Sequence, residues 1–265
     1  MAEPLSRCRG AYHPVDQLEV WYRSPLGSQL ATVESTVVGH MLERLFGYHL
    51  LQVGATPSFR DLAAESCIRH WILTTPSLAT GLPGTLVAAL PDALPIASDS
   101  VDAVILPHTL EFSVDAHRVL RETERVLIPE GRVIVLGFNP VSLWGLRRLL
   151  PGSRQHVPWC GNFLAPSRVC DWLQLLGFDV EQQKRLMFRP PWPGALSPRF
   201  SAVDSFGQRY FSIFGGGYAI RAVKRVSTLT PLMPRWVQRR AVLRGGAVEP
   251  SARTPHDCRN SGIDV

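Results

Sequence analysis

The segment Leu106-Pro107-His108-Thr109-Leu110-Glu111 carries side chains suited to chemistry, because it follows an apolar run that predicts a buried strand. Histidine side chains ordinarily have a pKa near neutral pH, so His108 could act as a general base that takes a proton from a bound substrate. Alternatively, His108 only shapes the entry into the next helix. His108, Glu111 and His117 are residue types that bind metals, but their spacing is loose, so no metal site is expected.

A second candidate position is Gly54, which ends the first predicted strand. Ligands of open α/β sheets bind beyond the carboxyl ends of the strands, near the point where the strand order reverses. A nucleotide-type ligand needs a tight turn there, so that the backbone can approach it with no side chain between. Gly54 could supply this turn, although an ordinary turn glycine explains it equally well. Pro57, three residues later, removes one backbone donor.

The elements that position these residues alternate between strands and helices. From Leu90 to Phe138, two near-continuous apolar runs flank a helix whose apolar residues recur at 3.6-residue spacing from Val119 to Leu127. This pattern predicts a right-handed βαβ unit of a buried parallel sheet, which places the protein in the α/β class. Strands are predicted over residues 48–53, 70–74, 85–88, 101–106, 132–136, 178–188 and 218–226.

Helices are predicted on either side of this unit. An amphipathic pattern covers residues 28–46, and further helices are expected over residues 142–150 and 168–176. We expect Ser167 to cap the last of these and Gly177 to end it.

Composition sets further limits. The length of 265 residues suits one medium α/β domain with extensions, and a hydrophobic fraction of 45% is enough for a full core. No apolar run approaches the roughly 18–20 residues that cross a bilayer, and the first residues lack the apolar part of a signal peptide. We therefore expect a cytoplasmic protein. The five cysteines lack paired spacing, which argues against a disulfide framework and a zinc site.

The C-terminal third is strongly basic. Between Gln182 and Val248 the only acidic residue is Asp204, whereas twelve residues of this stretch are Lys or Arg. Such a charge could favour nucleic acid, anionic lipid or an acidic substrate. An arginine-rich composition explains the same charge without any partner, and we favour that interpretation.

The central unit carries a series of short motifs with a recognisable order. They are Leu94-Pro95-Ile96, Ser100-Val101-Asp102, His108, Leu120-Arg121-Glu122, Arg125-Val126-Leu127, Pro129 and Gly131. With these motifs the unit resembles the second half of a class I S-adenosylmethionine-dependent methyltransferase of the type 11, UbiE-like group. The similarity to the general fold covers about residues 45–225. Residues 21–30 and 137–151 further resemble an uncharacterised proteobacterial branch of methyltransferase-like proteins.

The resemblance implies a Rossmann-like, open and mostly parallel seven-stranded sheet with helices on both faces and an antiparallel last strand. It divides the chain into an N-terminal helical extension (1–47), a methyltransferase-like domain (48–227) and a basic tail (228–265) that we expect to be disordered. It also implies S-adenosyl-L-methionine as cofactor, with His108 as the candidate catalytic residue. The implied cofactor-binding residues are Gly54, Ala55, Thr74, Asp92, Leu94, Pro107 and His108.

The cofactor motifs depart from the family pattern. One glycine, Gly54, stands where the family has three, and Leu51-Gln52 occupies the place of the leading acid. Thr74 lies where the second strand usually ends in an acid that binds the ribose. The acid that usually follows the third strand aligns with Leu90 or Pro91, so nearby Asp92 is the candidate substitute.

Two functions therefore remain open. The first is methyl transfer from S-adenosylmethionine to an unidentified acceptor, which the aromatic segments 188–192 and 206–214 suggest is small or apolar. The second is a non-catalytic binding module with a degenerate cofactor site. A nicotinamide dehydrogenase is not expected, because G-x-G-x-x-G is absent.

The expected partner is a small-molecule acceptor, and nucleic acid is not favoured. Trp144, Arg147 and Arg148 with Leu149 and Leu150 form a basic, amphipathic segment that leaves a weak membrane-surface contact open, although ordinary packing explains it too. The sequence predicts no oligomeric state.

Overall fold

The computed structural model describes residues 14–43, 45–54, 62, 67–76, 85–192 and 212–225. The chain divides into two units, Met1–Ser227 and Thr228–Val265, and every described residue lies in the first. The predicted basic tail and most of the aromatic segment 206–214 lie outside the described residues.

The described strands form one seven-stranded sheet with the spatial order 3-2-1-4-5-7-6. Only β7 runs antiparallel, against both β5 and β6, and the other neighbouring strands pair in parallel. The Rossmann-like sheet and its antiparallel last strand are therefore confirmed. The strands are β1 (Phe46–Val53), β2 (Cys67–Thr75), β3 (Thr85–Ala88), β4 (Val101–Pro107), β5 (Leu127–Phe138), β6 (Phe178–Leu186) and β7 (Gly217–Lys224).

Helices cover both faces of this sheet. Those described are α1 (Pro14–Tyr22), α2 (Pro25–Leu42), α3 (Thr109–Phe112), α4 (Ala116–Val126), α5 (Leu143–Arg147) and α6 (Pro166–Leu175). One core cluster joins α1 and α2 to Leu50 and Ile134, whereas the other joins α4 and α6 to Leu51 and Val133. Adjacent strand residues thus point to opposite cores, which explains why the central strands are apolar throughout.

Several boundaries differ from the prediction, above all the one between α4 and β5. Helix α4 ends at Val126, before Pro129, and β5 begins at once with Leu127 paired to Val101. The β4–β5 register shifts between Val101 and Ala103, because β5 has additional residues between Leu127 and Arg132. Glu130, with a positive φ of 63°, lies in this irregular part of β5.

The prediction that Ser167 caps α6 was wrong. Pro166 already occupies the first turn, and Ala165 is the cap residue without a side-chain hydrogen bond. Proline suits this position because its φ is preset for a helix and its missing N–H has no helical partner there. Gly177, at a φ of 83°, follows the helix as expected.

Two further findings concern membranes and cysteines. In the part of the chain that the structure describes, no helix combines the length and apolarity needed to cross a membrane. Cys67 and Cys170 are free, whereas Cys160 is disulfide-bonded.

Candidate functional site

A cavity of about 170 Å³ lies at the carboxyl ends of β1, β2 and β4. The sheet order reverses between β1 and β4, because the chain runs outward from β1 to β3 and then returns to the other side of β1. The cavity is therefore where an open α/β sheet is expected to bind its ligand. Its wall is mostly apolar, and its polar side chains come from the strand ends and the loops that follow them.

Gly54 lines the cavity in a conformation that favours glycine. Its φ is 97°, and its N–H donates a hydrogen bond of 2.8 Å to the carbonyl of Thr74. The Gln52 amide donates to the Gly54 carbonyl at 2.9 Å. Gln52, at the position where the family has an acid, therefore stabilises the turn at Gly54 through a hydrogen bond within the protein. The predicted neighbour Ala55 lies outside the described residues.

Thr74 and Asp92 also line the cavity. Thr74 is buried, and its hydroxyl donates a long hydrogen bond of 3.4 Å to the Gln52 carbonyl. The Asp92 carboxylate lies 3.5 Å from the Arg118 guanidinium and remains partly exposed. Asp92 is thus a carboxylate that the loop after β3 places at the cavity.

Leu94 does not line the cavity. Its side chain is buried in the core cluster that contains α4. Its carbonyl accepts a hydrogen bond of 3.0 Å from Arg125, which fixes the loop rather than a ligand.

The end of β4 brings Pro107, His108 and Thr109 to the cavity. The Thr109 hydroxyl donates a 2.6 Å hydrogen bond to the carbonyl of Val53 and so ties the end of β4 to the end of β1. His108 adopts a left-handed conformation with a φ of 54° and comes directly before α3. Sequence reasoning named Thr109 only as part of the segment 106–111, without a role of its own.

The imidazole of His108 is held between two buried carboxylates. Its Nδ1 atom lies 2.9 Å from Oε2 of Glu111, and its Nε2 atom lies 2.8 Å from Oε1 of Glu34. The Tyr22 hydroxyl donates to the other oxygen of Glu34 at 2.8 Å. The backbone N–H of Phe138 donates to the other oxygen of Glu111. Both carboxylates and both ring nitrogens therefore have partners inside the protein.

This environment changes the pKa of His108. Burial by itself lowers the pKa, but the charge of Glu34 and the hydrogen bonds to both carboxylates outweigh burial and raise it to about 10. Burial also raises the pKa of the Glu111 carboxyl, although its hydrogen bond to His108 opposes this. A protonated imidazole has no lone pair for a substrate proton, so this geometry does not favour the general-base prediction for His108.

The structure adds residues that sequence reasoning missed. Leu18 of α1 and Val119 of α4 line the cavity, and Asp115 lies beside them and caps α4 through the N–H of His117 at 2.9 Å. Glu34 belongs to the buried network without lining the cavity. Its signal in the sequence is a carboxylate on the apolar face of α2, four residues from both Leu30 and Val38.

A family model described as "Methyltransferase domain" matches residues 38–135. The uncharacterised protein YafS of Escherichia coli strain K12 is 35% identical over 173 residues, which are 65% of this chain and 70% of YafS. The match to the family model spans β1 to β4, α3, α4 and most of β5, and so includes the strand ends that line the cavity.

Solved structures share the fold. A SAM-dependent methyltransferase from Thermotoga maritima aligns with a TM-score of 0.59 at 18% identity, over 80% of this chain and 96% of that one. A geranyl diphosphate methyltransferase, determined in complex with GPP and sinefungin, aligns with a TM-score of 0.52 at 16% identity, over 73% and 78% of the two chains. At these identities the similarity describes the fold.

Proposed function

Because the chain belongs to the type 11 family of class I S-adenosylmethionine-dependent methyltransferases, we propose that it transfers a methyl group from S-adenosylmethionine to a small or apolar acceptor. The observation that carries the proposal is the cavity at the reversal point of the sheet, where Gly54, Thr74 and Asp92 meet the end of β4. Each of these residues follows or ends a different strand.

The residues present fit this cofactor in part. Gly54 leaves the end of β1 without a side chain, so the backbone can be approached closely. Asp92 would accept hydrogen bonds from the adenosine, and the apolar walls suit an adenine ring. Thr74 would offer one hydroxyl where relatives carry a carboxylate.

The chain's own contribution to the reaction is to bind and orient. Bound S-adenosylmethionine supplies an electrophilic methyl group on a sulfonium, and transfer from it depends mainly on proximity and alignment. The apolar residues Leu18, Phe112 and Val114 would hold an acceptor and exclude water. His108 keeps the turn between β4 and α3 in place through its two carboxylates, rather than taking a proton.

Transfer of a labelled methyl group tests the activity. The 265-residue chain is incubated with cell extract and S-adenosylmethionine carrying a radioactive methyl group, and the label is followed into the organic and aqueous phases. We expect enzyme-dependent label in the organic phase. The substitution Gly54→Asp, which places a charged side chain at the cavity, should abolish it. If neither the organic nor the aqueous phase contained enzyme-dependent label, the proposed activity would be contradicted.

A non-catalytic binding module is the second candidate, and one observation favours it. The Gly54 N–H donates to Thr74, and the Thr74 hydroxyl donates to Gln52, so these donors at the cavity already have protein partners. A protein of this second kind would bind S-adenosylmethionine or S-adenosylhomocysteine weakly or not at all and would label no product.

A further inference from the structure

An apolar patch surrounds helix α5, beyond the end of β5. We define it by Val141, Leu143, Leu146, Leu149 and Phe214, whose exposed fractions lie between 46% and 68%. These side chains line one open groove of about 370 Å³. Clustered exposure of large apolar residues is unusual for a protein surface that faces only water, so the patch is a candidate docking surface.

The local structure forces these leucines outward. Trp144 is 1% exposed and donates a hydrogen bond of 3.0 Å from its indole N–H to the carbonyl of Arg189. A Cβ at Gly145 would lie 1.9 Å from the carbonyl oxygen of Pro140, so this side of the helix rests directly on backbone. Since α5 buries Trp144 and Gly145, its two leucines, Leu143 and Leu146, face away from the core.

The charge around the patch has one sign. From Asn139 to Cys170 the sequence contains four arginines and neither Asp nor Glu. The guanidinium of Arg147 lies 4.1 Å from the ring centre of Trp159, and that of Arg148 lies 4.8 Å from the ring centre of Phe163. These stacked contacts keep two positive charges on the segment that carries the exposed leucines.

We propose that this patch docks the protein on an anionic lipid surface. Exposed leucines flanked by arginines match a lipid interface, because acyl chains take up the apolar side chains while anionic head groups attract the guanidinium groups. An acidic or purely apolar protein surface would satisfy one of these two features, whereas an anionic membrane satisfies both.

Docking would also orient the cavity. Helix α5 follows β5, and β5 pairs in parallel with β4, so the patch and the cavity lie beyond the same edge of the sheet. A protein docked through the patch would turn this edge toward the lipid. Delivery of an apolar acceptor by this route rests on the proposed function, but docking itself does not.

Vesicle flotation with the full chain and no cofactor tests the proposal. Vesicles of phosphatidylcholine alone are compared with an equal mixture of phosphatidylcholine and phosphatidylglycerol. We expect binding to the mixed vesicles that falls as salt is raised, because salt screens the attraction to the head groups. The substitution Leu146→Glu should lower this binding at least about tenfold, because a charged side chain would replace an apolar one that contacts the acyl chains of the docked protein.

Leu175→Glu is the matched control. Leu175 is 83% exposed on α6 and does not line the groove, so this variant should bind the mixed vesicles as the unchanged protein does. The proposal is overturned if the protein binds neither type of vesicle, or if Leu146→Glu and Leu175→Glu bind equally. Self-association that Leu146→Glu abolishes, without any vesicle binding, would assign the patch to a second copy of the chain and also overturn it.

Discussion

The Nε2 atom of His108 lies 2.8 Å from Oε1 of Glu34, although 74 positions separate the two residues and their side chains are 0% and 1% exposed. This contact joins helix α2 to the turn after β4, which lines the cavity. The N-terminal helices are therefore bound to the site through a buried charge pair, and α1 adds both Tyr22 to the network and Leu18 to the cavity wall.

Glu34→Gln should destabilise the protein by about 3 kcal/mol, because it removes one partner of a buried ion pair and leaves His108 with a single carboxylate. The free energy of unfolding in urea, followed by tryptophan fluorescence, measures this loss. Glu43→Gln is the matched control, because Glu43 pairs with His40 at 2.7 Å with both side chains more than half exposed. This variant should lose less than about 1 kcal/mol. Equal losses would show that burial of the Glu34 pair has no special effect.

The stability of the protein should fall as pH rises from 6.5 to about 10. The pKa of His108 is raised from 6.5 to about 10 in the folded protein, so its contribution is fully present below pH 6.5 and is lost as pH rises through 10. One proton gives a slope of at most about 1.4 kcal/mol per pH unit. The free energy of unfolding, measured across this range for the unchanged protein and for His108→Gln, isolates the effect.

We expect a flatter pH dependence for His108→Gln than for the unchanged protein. Parallel curves for His108→Gln and the unchanged protein would show that His108 does not titrate in this range.

Gly54→Ala should weaken cofactor binding, with Gly177→Ala as its control. Both glycines have positive φ, so either alanine is expected to cost about 1–2 kcal/mol of stability from backbone strain. At Gly54 the added Cβ would lie 3.5 Å from the Thr109 hydroxyl, an ordinary contact at the cavity. Only this variant should therefore lose affinity for S-adenosylhomocysteine in a calorimetric titration. Equal affinities of the two variants for S-adenosylhomocysteine would show that the cofactor does not bind next to Gly54.

Asp92→Asn should weaken S-adenosylhomocysteine binding by about tenfold or more, because it replaces a charged acceptor with a neutral one. Arg118→Gln removes the ion pair with Asp92 but keeps the carboxylate, so it should bind at least as well as the unchanged protein. Dissociation constants from the same titration compare the two. A larger loss in Arg118→Gln than in Asp92→Asn would mean that Asp92 acts only through its ion pair.

Local patterns were sufficient to predict the β4–α4–β5 unit. The 3.6-residue spacing of Val119 and Leu120 with Thr123 and Val126 depends on neighbouring residues, and the structure buries all four. The bounds Thr85–Ala88 of β3 were also predicted correctly. The antiparallel pairing of β7 beside β6 came from the family resemblance, because strand order depends on contacts between distant segments. The place of β7 between β5 and β6 was found only in the structure.

The candidate site was predictable where it consists of strand ends. Gly54, Thr74, Asp92, Pro107 and His108 reach one cavity because each ends or follows a strand of a parallel sheet. The partners of His108 were not predictable, since Glu34 belongs to a helix whose packing against the sheet no local pattern specifies. The position of Leu18 at the cavity was not predictable for the same reason, because Leu18 belongs to helix α1. The protonation state of His108 follows from these partners, so its role could not be decided before they were known.

Calorimetric titration of the full chain with S-adenosylmethionine and S-adenosylhomocysteine tests the central claim most directly. The account predicts saturable heat that corresponds to one site for each ligand, a raised melting temperature in their presence, and the loss of both effects in Gly54→Asp. No heat and no thermal shift at millimolar ligand would contradict it.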